Sequence, residues 1–366
     1  MIIILVLSTF DYCLISSKDT QSIITMKKRI IKSVCFAIFL PVFLFSLPGC
    51  DNWERKPFYE ADISDIQPEP VDIHRYDSLL FNANPFILDK ELEPHTETYA
   101  FFLGEGLQDA EQQERLYNYV TDPFLIELYM DSEDMQEETD GLRASLTKTF
   151  RYYTYHFPEE PLPDIYTYIS GIDHHMPVIF TDGHLIIGVD NYLGHDYEYY
   201  DKAGIPKYLS HWMRPESIVP DVARALADHH LTESTAAPET LLEHMIHEGK
   251  KQFFLDCMLP HTHDSLKINY TERQLAWMEQ NLGRAWAYKL DNELLYRDDR
   301  DLVQRFIRKA PFTAPFSRSS APQTGVYLGW QIVREYMERN PDTGLQDLLA
   351  EEDARKILTE ARFRPR

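Results

Sequence analysis

The chain contains 366 residues, of which 44% are hydrophobic and 13% aromatic, so it can bury a sizeable core. Its formal net charge of −23 argues against a nucleic-acid partner and against charge-driven binding to an anionic bilayer, because both would repel an acidic surface. The charge does not by itself indicate a fold.

The first fifty residues contain the three parts of a secretory signal. A basic head, Met26-Lys27-Lys28-Arg29, precedes a mostly apolar run over residues 30–47, which ends in Leu47-Pro48-Gly49-Cys50. This ending resembles a bacterial lipobox, in which a small residue precedes a cysteine whose thiol receives a diacylglyceryl group. We therefore predict a start-site extension at residues 1–25, a lipoprotein signal peptide at residues 26–49, and lipid attachment at Cys50.

A retained transmembrane anchor is the alternative interpretation of this run. Its apolar part is short for a span of about 20 residues, and it leaves the small residue and the cysteine unexplained. Cysteine usage agrees with export, because Cys13 and Cys35 precede Cys50 and only Cys257 remains in the mature chain. No internal disulfide is then possible, so the exported domain must depend on its hydrophobic core.

The segment after Cys50 is polar, acidic and rich in proline. We predict a tether over residues 50–74, in which Pro68 and Pro70 favour extended backbone. Residues 71–73 have the character of a short edge strand. Residues 75–366 are predicted to form one domain, because no second linker interrupts them.

The middle of the chain changes from helical to alternating periodicity. Residues 91–157 have apolar positions at helical spacing. Residues 164–169 alternate, and residues 177–189 contain two β-rich runs about Asp182-Gly183, a dipeptide typical of tight hairpins. His174 and His175 lie in the loop between these strands, where we expect them to face solvent. The sequence thus predicts a small central sheet.

A helix within residues 206–231 precedes the most informative helix, at residues 240–256. Pro238 and Glu239 suit its first turn, since proline needs no N–H there and a carboxylate favours the positive end of the helix dipole. Its two sides have different chemistry. One side is apolar and contains Leu242, Ile246, Gly249 and Phe253. The opposite side is polar and contains His244, His247, Glu248 and Lys251.

Two histidines and a glutamate within one turn have the chemistry of metal ligands. The order His244-x-x-His247-Glu248 nevertheless differs from both the H-E-x-x-H and the H-x-x-E-H arrangements of zinc peptidases. A solvated polar face is therefore the favoured interpretation. The alternative is an unorthodox metal site, completed by His261 or His263 in the following loop.

The C-terminal part is predicted to be helical again. Residues 270–295 form a helix with Trp277 and Trp286 as core anchors, and shorter helices follow at residues 331–339 and 351–359. Gly325 and Gly329, four residues apart, would permit the close approach of another backbone if they are helical. The predicted fold class is α+β, predominantly helical, with a small central sheet packed by helices.

With these segments in order, the chain resembles the gliding motility-associated lipoprotein GldB family of Bacteroidetes. The stretches that carry the resemblance include Cys50 and span essentially the whole mature chain. They are His74-Arg75-Tyr76-Asp77-Ser78-Leu79-Leu80-Phe81, Trp212-Met213-Arg214-Pro215-Glu216-Ser217-Ile218-Val219-Pro220, residues 243–254, Ala310-Pro311-Phe312 and residues 325–337.

The resemblance implies a distant similarity to zincin-type metallopeptidases. In that pattern Glu248-Gly249 stands where a third, carboxylate ligand of zinc would be, and Glu248 would face a cleft. Residues 207–231 contain no H-E-x-x-H, so two histidine ligands and the catalytic glutamate are missing. The resemblance therefore implies a zincin-like scaffold without catalytic residues, metal or cofactor. The alternative is a metal-dependent, peptidase-like hydrolase built on the unorthodox site.

The resemblance also implies where in the cell the protein is located. We expect a membrane-anchored lipoprotein of the cell envelope, with its domain outside the cytoplasm, in the periplasm. Its expected partners are the membrane, through the lipid, and other envelope proteins of the gliding motility or associated secretion machinery.

Overall fold

The computed structural model describes residues 56–67, 70–103, 107, 109–136, 139–234 and 236–365. One compact unit runs from Pro57 to Arg366. The predicted extension at residues 1–25, the signal peptide at residues 26–49 and Cys50 lie outside the described residues.

Helices dominate the described part of the chain, and four strands lie among them. The strands are β1 (Ile73–Arg75), β2 (Asp164–Tyr168), β3 (Val178–Thr181) and β4 (His184–Gly188). The helices of the first half are α1 (Tyr76–Phe81), α2 (Leu88–Leu92), α3 (Ala100–Leu103), α4 (Ala110–Thr121), α5 (Pro123–Gln136), α6 (Thr139–His156), α7 (Glu198–Lys202) and α8 (Lys207–Ser210). Those of the second half are α9 (Ile218–Ser234), α10 (Leu241–Met258), α11 (Asp264–Ile268), α12 (Glu272–Asp291), α13 (Arg300–Ile307), α14 (Thr324–Arg339), α15 (Leu345–Ala350) and α16 (Ala354–Ala361).

The four strands form one mixed sheet in the order β1-β2-β4-β3. Strands β1, β2 and β4 are parallel, while β3 pairs antiparallel with β4. The β3–β4 turn contains Asp182 and Gly183, whose φ angles of 49° and 77° suit a tight hairpin turn. The predicted hairpin, the small sheet and the mostly helical fold class are confirmed.

Helices cover both faces of the sheet. Successive strand residues point to opposite faces, so Ile165 of β2 lies in the large core while Tyr166 lies in a smaller cluster. The smaller cluster is formed by α1 to α4, and the larger core contains α6, α9, α10 and α14. The short parallel strands are therefore buried and present their carboxyl ends towards one edge.

The central helix α10 begins one residue after Thr240. The Thr240 hydroxyl accepts a hydrogen bond from the Glu243 N–H, and the Glu243 carboxylate accepts one from the Thr240 N–H at 2.9 Å. This capping box sets the start of the helix. Pro238 and Glu239 therefore precede the helix, and the prediction that they form its first turn is wrong.

Helix α10 is amphipathic only in its first half. From Gly249 to Met258 it is buried on nearly every side, because α9 and α14 enclose it. The tightest neighbour is α14, where Gly325 and Gly329 are helical as the sequence prediction required. Trp330 in this helix is completely buried, whereas Trp277 and Trp286, the predicted core anchors, are half-buried at the edge of the core.

The N-terminal segment packs on the unit instead of acting as a tether. The ring of Phe58 stacks on Phe253 with centroids 6.1 Å apart. The Arg151 guanidinium donates to the carbonyl oxygens of Ile63 and Ile66 at 2.7 Å and 3.1 Å. Because these contacts fix residues 57–67, and β1 begins at Ile73, the predicted tether to residue 74 is wrong beyond residue 56. None of the helices in the described part is long and apolar enough to cross a bilayer.

Candidate functional site

The polar face of α10 packs against α9 rather than facing bulk water. The Lys251 ammonium lies 2.9 Å from the Glu248 carboxylate and 2.7 Å from the Asp228 carboxylate of α9. Burial opposes the charge of Lys251, but the two carboxylates outweigh it and raise the lysine pKa. Because Glu248 is only 24% exposed, the predicted solvated face is wrong. Glu248 faces a neighbouring helix, whereas the resemblance implied that it faces a cleft.

The polar side of α9 is also occupied by internal contacts. Asp221 forms an ion pair with Arg224 and accepts a hydrogen bond from the Tyr192 hydroxyl at 2.9 Å. Arg224 donates in addition to the carbonyl oxygen of Lys267 at 2.8 Å. The groups near Glu248 on α9 are thus two paired carboxylates and an arginine. Their chemistry does not fit a zinc ion, because the Arg224 and Lys251 cations would repel it.

The predicted histidines are divided between the two ends of α10. His244 and His247 are half-buried in its first half, where burial lowers the pKa of each imidazole. His261 and His263 follow its far end, and the ten residues from Glu248 to Met258 span about 15 Å of helix. The four imidazoles are therefore not brought together.

Each loop histidine has a local contact. His261 lies 3.5 Å from the Glu60 carboxylate, and His263 caps α11 by accepting from the Ser265 N–H at 3.3 Å. His174 is half-buried and His175 is exposed. The described residues hold no group of three or more His, Cys, Asp or Glu side chains placed to bind a metal.

A buried ionic cluster at the end of α10 was not anticipated from the sequence. Asp256 accepts from Lys267 at 2.8 Å, from the Trp330 indole at 2.7 Å and from Arg334 at 2.7 Å. Arg334 also pairs with Asp264 at 2.7 Å. Burial opposes the Arg334 charge, yet Asp256 and Asp264 together outweigh it and raise the pKa of the guanidinium. The one sequence signal is an aspartate three residues after Phe253, on the apolar side of α10.

A recess lies outside the carboxyl ends of the parallel strands. It has a volume of about 710 Å³ and is lined by Arg75 of β1, Thr167 of β2 and Val189 after β4. We call it the strand-end crevice. In α/β sheets this position commonly receives ligands, and the volume lies in the range of small-molecule sites, which is roughly 300–1,000 Å³.

Three walls enclose the strand-end crevice. Helix α6 contributes one wall, and the turn before α9 and its first residues contribute a second. The end of α10, the loop after it and α11 contribute the third. These residues are Gly141, Leu142, Ser145, Lys148, Thr149, Tyr152, Pro215, Glu216, Ile218, Val219, Pro220, Met258, Leu259, Pro260, His261, Thr262 and Leu266. The crevice is thus mostly apolar with a few polar groups.

An ion pair between Arg75 and Asp77 forms the polar floor of the strand-end crevice. Arg75 donates through Nε and Nη2 to Asp77 at 3.0 Å and 2.8 Å, and Thr167 donates to the same carboxylate at 2.6 Å. Asp77 is completely buried. Two charge-assisted hydrogen bonds fix the guanidinium at the edge of the sheet, and the bond from Thr167 holds the carboxylate in place.

Two stretches that carried the family resemblance meet at the strand-end crevice. Arg75 and Asp77 belong to the first, and the wall from Pro215 to Pro220 belongs to the second. They are far apart in sequence, and the sheet together with α9 brings them together. The sequence alone does not indicate that the two stretches meet.

Most of the chain matches one known protein family. The model of the family described as gliding motility protein GldB matches residues 57–365, nearly the same range as the compact unit. No curated protein and no solved structure matches the chain. The match covers most of the sequence and confirms the resemblance. The chain therefore belongs to the gliding motility protein GldB family.

Proposed function

We propose that this chain is a lipid-anchored, non-catalytic component of the gliding motility machinery or the associated secretion machinery. Membership of the GldB family supports a role in gliding motility. The basic head, the apolar run and Leu47-Pro48-Gly49 before Cys50 support the lipid anchor. The domain then lies outside the cytoplasm, in the periplasm, and acts by binding other envelope proteins.

The contact of Lys251 with both Glu248 and Asp228 supports the non-catalytic part of the proposal. If the scaffold is zincin-like, Glu248 holds the place of the third zinc ligand. Here its carboxylate is paired with an ammonium group, and α9 contributes Asp221, Arg224 and Asp228 rather than two histidines and a glutamate base. A catalytic zinc requires three protein ligands and an open position for water. The arrangement is that of a packed helix pair.

Metal stoichiometry and peptide hydrolysis test this proposal on the full chain and on Glu248→Gln. Glu239→Gln, an exposed change just before the same helix, is the matched control. We expect no stoichiometric zinc and no zinc-dependent hydrolysis in any of the three proteins, with only a modest loss of stability in Glu248→Gln. About one zinc per chain, lost together with hydrolysis in Glu248→Gln alone, would establish the hydrolase built on His244, His247 and Glu248 instead.

Crosslinking in native envelopes tests the role in the machinery. We expect the chain to be recovered with other envelope proteins of the motility or secretion machinery. Recovery of a monomer without any crosslinked protein, under conditions that capture other envelope assemblies, would contradict this part of the proposal.

A further inference from the structure

The strand-end crevice combines apolar walls with an arginine whose guanidinium can donate further hydrogen bonds. Arg75 uses Nε and Nη2 for Asp77. Its Nη1 group carries two further N–H donors and has no acceptor among the residues that the structure describes. Lys148 of α6 lies on the adjacent wall and is exposed. The crevice therefore offers two cationic side chains beside an apolar recess.

The other charged groups near the crevice have contacts of their own. Glu216 lies 3.9 Å from Arg214, and His261 lies 3.5 Å from Glu60. The lining thus leaves Arg75 and Lys148 as the groups best placed for an incoming anion. The long wall opposite α6 is aliphatic and is formed by Ile218, Val219, Leu259 and Leu266.

The first residues of the domain link this crevice to the predicted lipid attachment at Cys50. Segment 57–67 crosses α6 through Arg151 and meets the crevice lining through the contact between Glu60 and His261. Only six residues separate Cys50 from Pro57, and seven peptide steps reach at most about 25 Å. If Cys50 carries the anchor, as proposed above, this side of the domain stays close to the membrane surface.

We propose that the strand-end crevice binds one acyl chain of an anionic lipid, with the head group, a carboxylate or a phosphate, held by Arg75 and Lys148. The aliphatic wall receives the methylene chain, because burying apolar surface on both partners is favourable. The ion pair with Asp77 holds Arg75 in place before the lipid arrives, which reduces the entropy lost on binding. Only the approach to the membrane rests on the proposed anchor.

Photochemical crosslinking with palmitic acid that carries a diazirine in its chain tests the proposal on the full chain in nanodiscs. We expect saturable crosslinks on peptides that contain Leu142, Val219 or Leu259, and their loss when unlabelled palmitate is in excess. Phosphatidic acid and phosphatidylcholine are the two further competitors. Competition by phosphatidic acid as well as palmitate identifies membrane lipid as a source, whereas competition by palmitate alone identifies free fatty acid.

Two pairs of variants make this test specific. Val219→Trp fills the crevice and should reduce crosslinking at least tenfold, while Met130→Trp, an exposed change on α5, should leave it unchanged. Lys148→Glu should weaken palmitate binding about tenfold through the loss of one charge-assisted contact, and exposed Lys90→Glu is its control. Thermal unfolding of each variant establishes that the fold is retained.

Several outcomes would overturn the proposal. These are crosslinks that do not saturate, equal crosslinking in Val219→Trp and the wild type, or equal competition by zwitterionic phosphatidylcholine, which would remove the role of the two cations. Crosslinking of this crevice to an apolar segment of an envelope protein, without competition by palmitate, would replace the lipid by a protein partner. Cys50→Ala separates the two proposals, because it removes the lipid attachment and should leave palmitate binding intact.

Discussion

Gly249 of α10 and Gly329 of α14 bring the backbones of these two helices into direct contact. A Cβ atom on Gly249 would lie 2.4 Å from the carbonyl carbon of Gly329, and one on Gly329 would lie 1.7 Å from the carbonyl oxygen of Met245. Both distances are far below van der Waals contact, and the obstructing atoms belong to backbone. The crossing of the two central helices therefore depends on the absence of side chains at these positions.

We expect Gly329→Ala to destabilise the protein by at least about 1–3 kcal/mol, because the helices must move apart to admit a methyl group. Gly141→Ala is the matched control, since a Cβ there meets nothing within 4 Å and alanine favours a helix by roughly 1 kcal/mol over glycine. Urea unfolding measures both. Equal stability of Gly329→Ala and wild type would contradict the close packing.

The buried cluster around Asp256 leads to a second prediction. Asp256 and Lys267 are almost completely buried and lie 2.8 Å apart. Asp256→Asn removes the negative charge and leaves two cations close together, so we expect a loss of about 3–5 kcal/mol. Glu198→Gln breaks an exposed ion pair with Lys202 and should cost less than about 1 kcal/mol. Unfolding curves of the two variants that coincide would refute a stabilising role for the cluster.

Lys289 gives a prediction about pH. Its side chain is completely buried beneath the ring of Phe306, 4.5 Å from the ring centre, and no carboxylate pairs with it among the described residues. Burial lowers the pKa of Lys289 to about 7. The unfolded chain keeps this proton up to a pKa of about 10.4, so it binds more protons than the folded chain above pH 7. The contribution of Lys289 to stability therefore rises with pH over this window.

We expect Lys289→Met to stabilise the protein at pH 7 by about 1–4 kcal/mol, because it removes the cost of a buried ammonium. The increase of stability between pH 7 and pH 9 should also become smaller. Exposed Lys90→Met is the control and should change neither quantity. Guanidinium unfolding at three pH values measures both effects, and an unchanged pH slope in Lys289→Met would show that Lys289 does not titrate in this window.

The anchor proposal predicts that Cys50→Ala accumulates as an unprocessed precursor. In the wild type, two or three acyl chains would make release from the bilayer negligible, whereas one chain alone binds reversibly. Cys257→Ala is the control, because its thiol is buried in the core and lies far along the chain. Mass spectrometry of the mature N-terminal peptide checks this, and an unmodified Cys50 there would disprove lipidation.

Local patterns in the sequence determined much of the fold of this protein. The Asp182-Gly183 turn, the central helix and the close approach of a backbone at Gly325 and Gly329 could be predicted because turn chemistry and helical spacing act over a few residues. The family could be recognised for a similar reason, since it depends on the order of short stretches along the chain. Lipidation at Cys50 is a prediction of the same local kind.

Tertiary structure alone decided which polar residues meet. Periodicity placed Glu248 and Lys251 on a solvated face, but the approach of α9 buries that face and pairs Lys251 with Asp228. The sequence at the end of α10 is likewise mostly apolar, and only the packing of α14 brings Arg334 to Asp256. The strand-end crevice forms because the sheet and α9 bring Arg75 next to the wall that follows Arg214. The two residues are about 140 positions apart in the sequence. Such contacts depend on how separate elements pack, and helical spacing within one element carries no information about them.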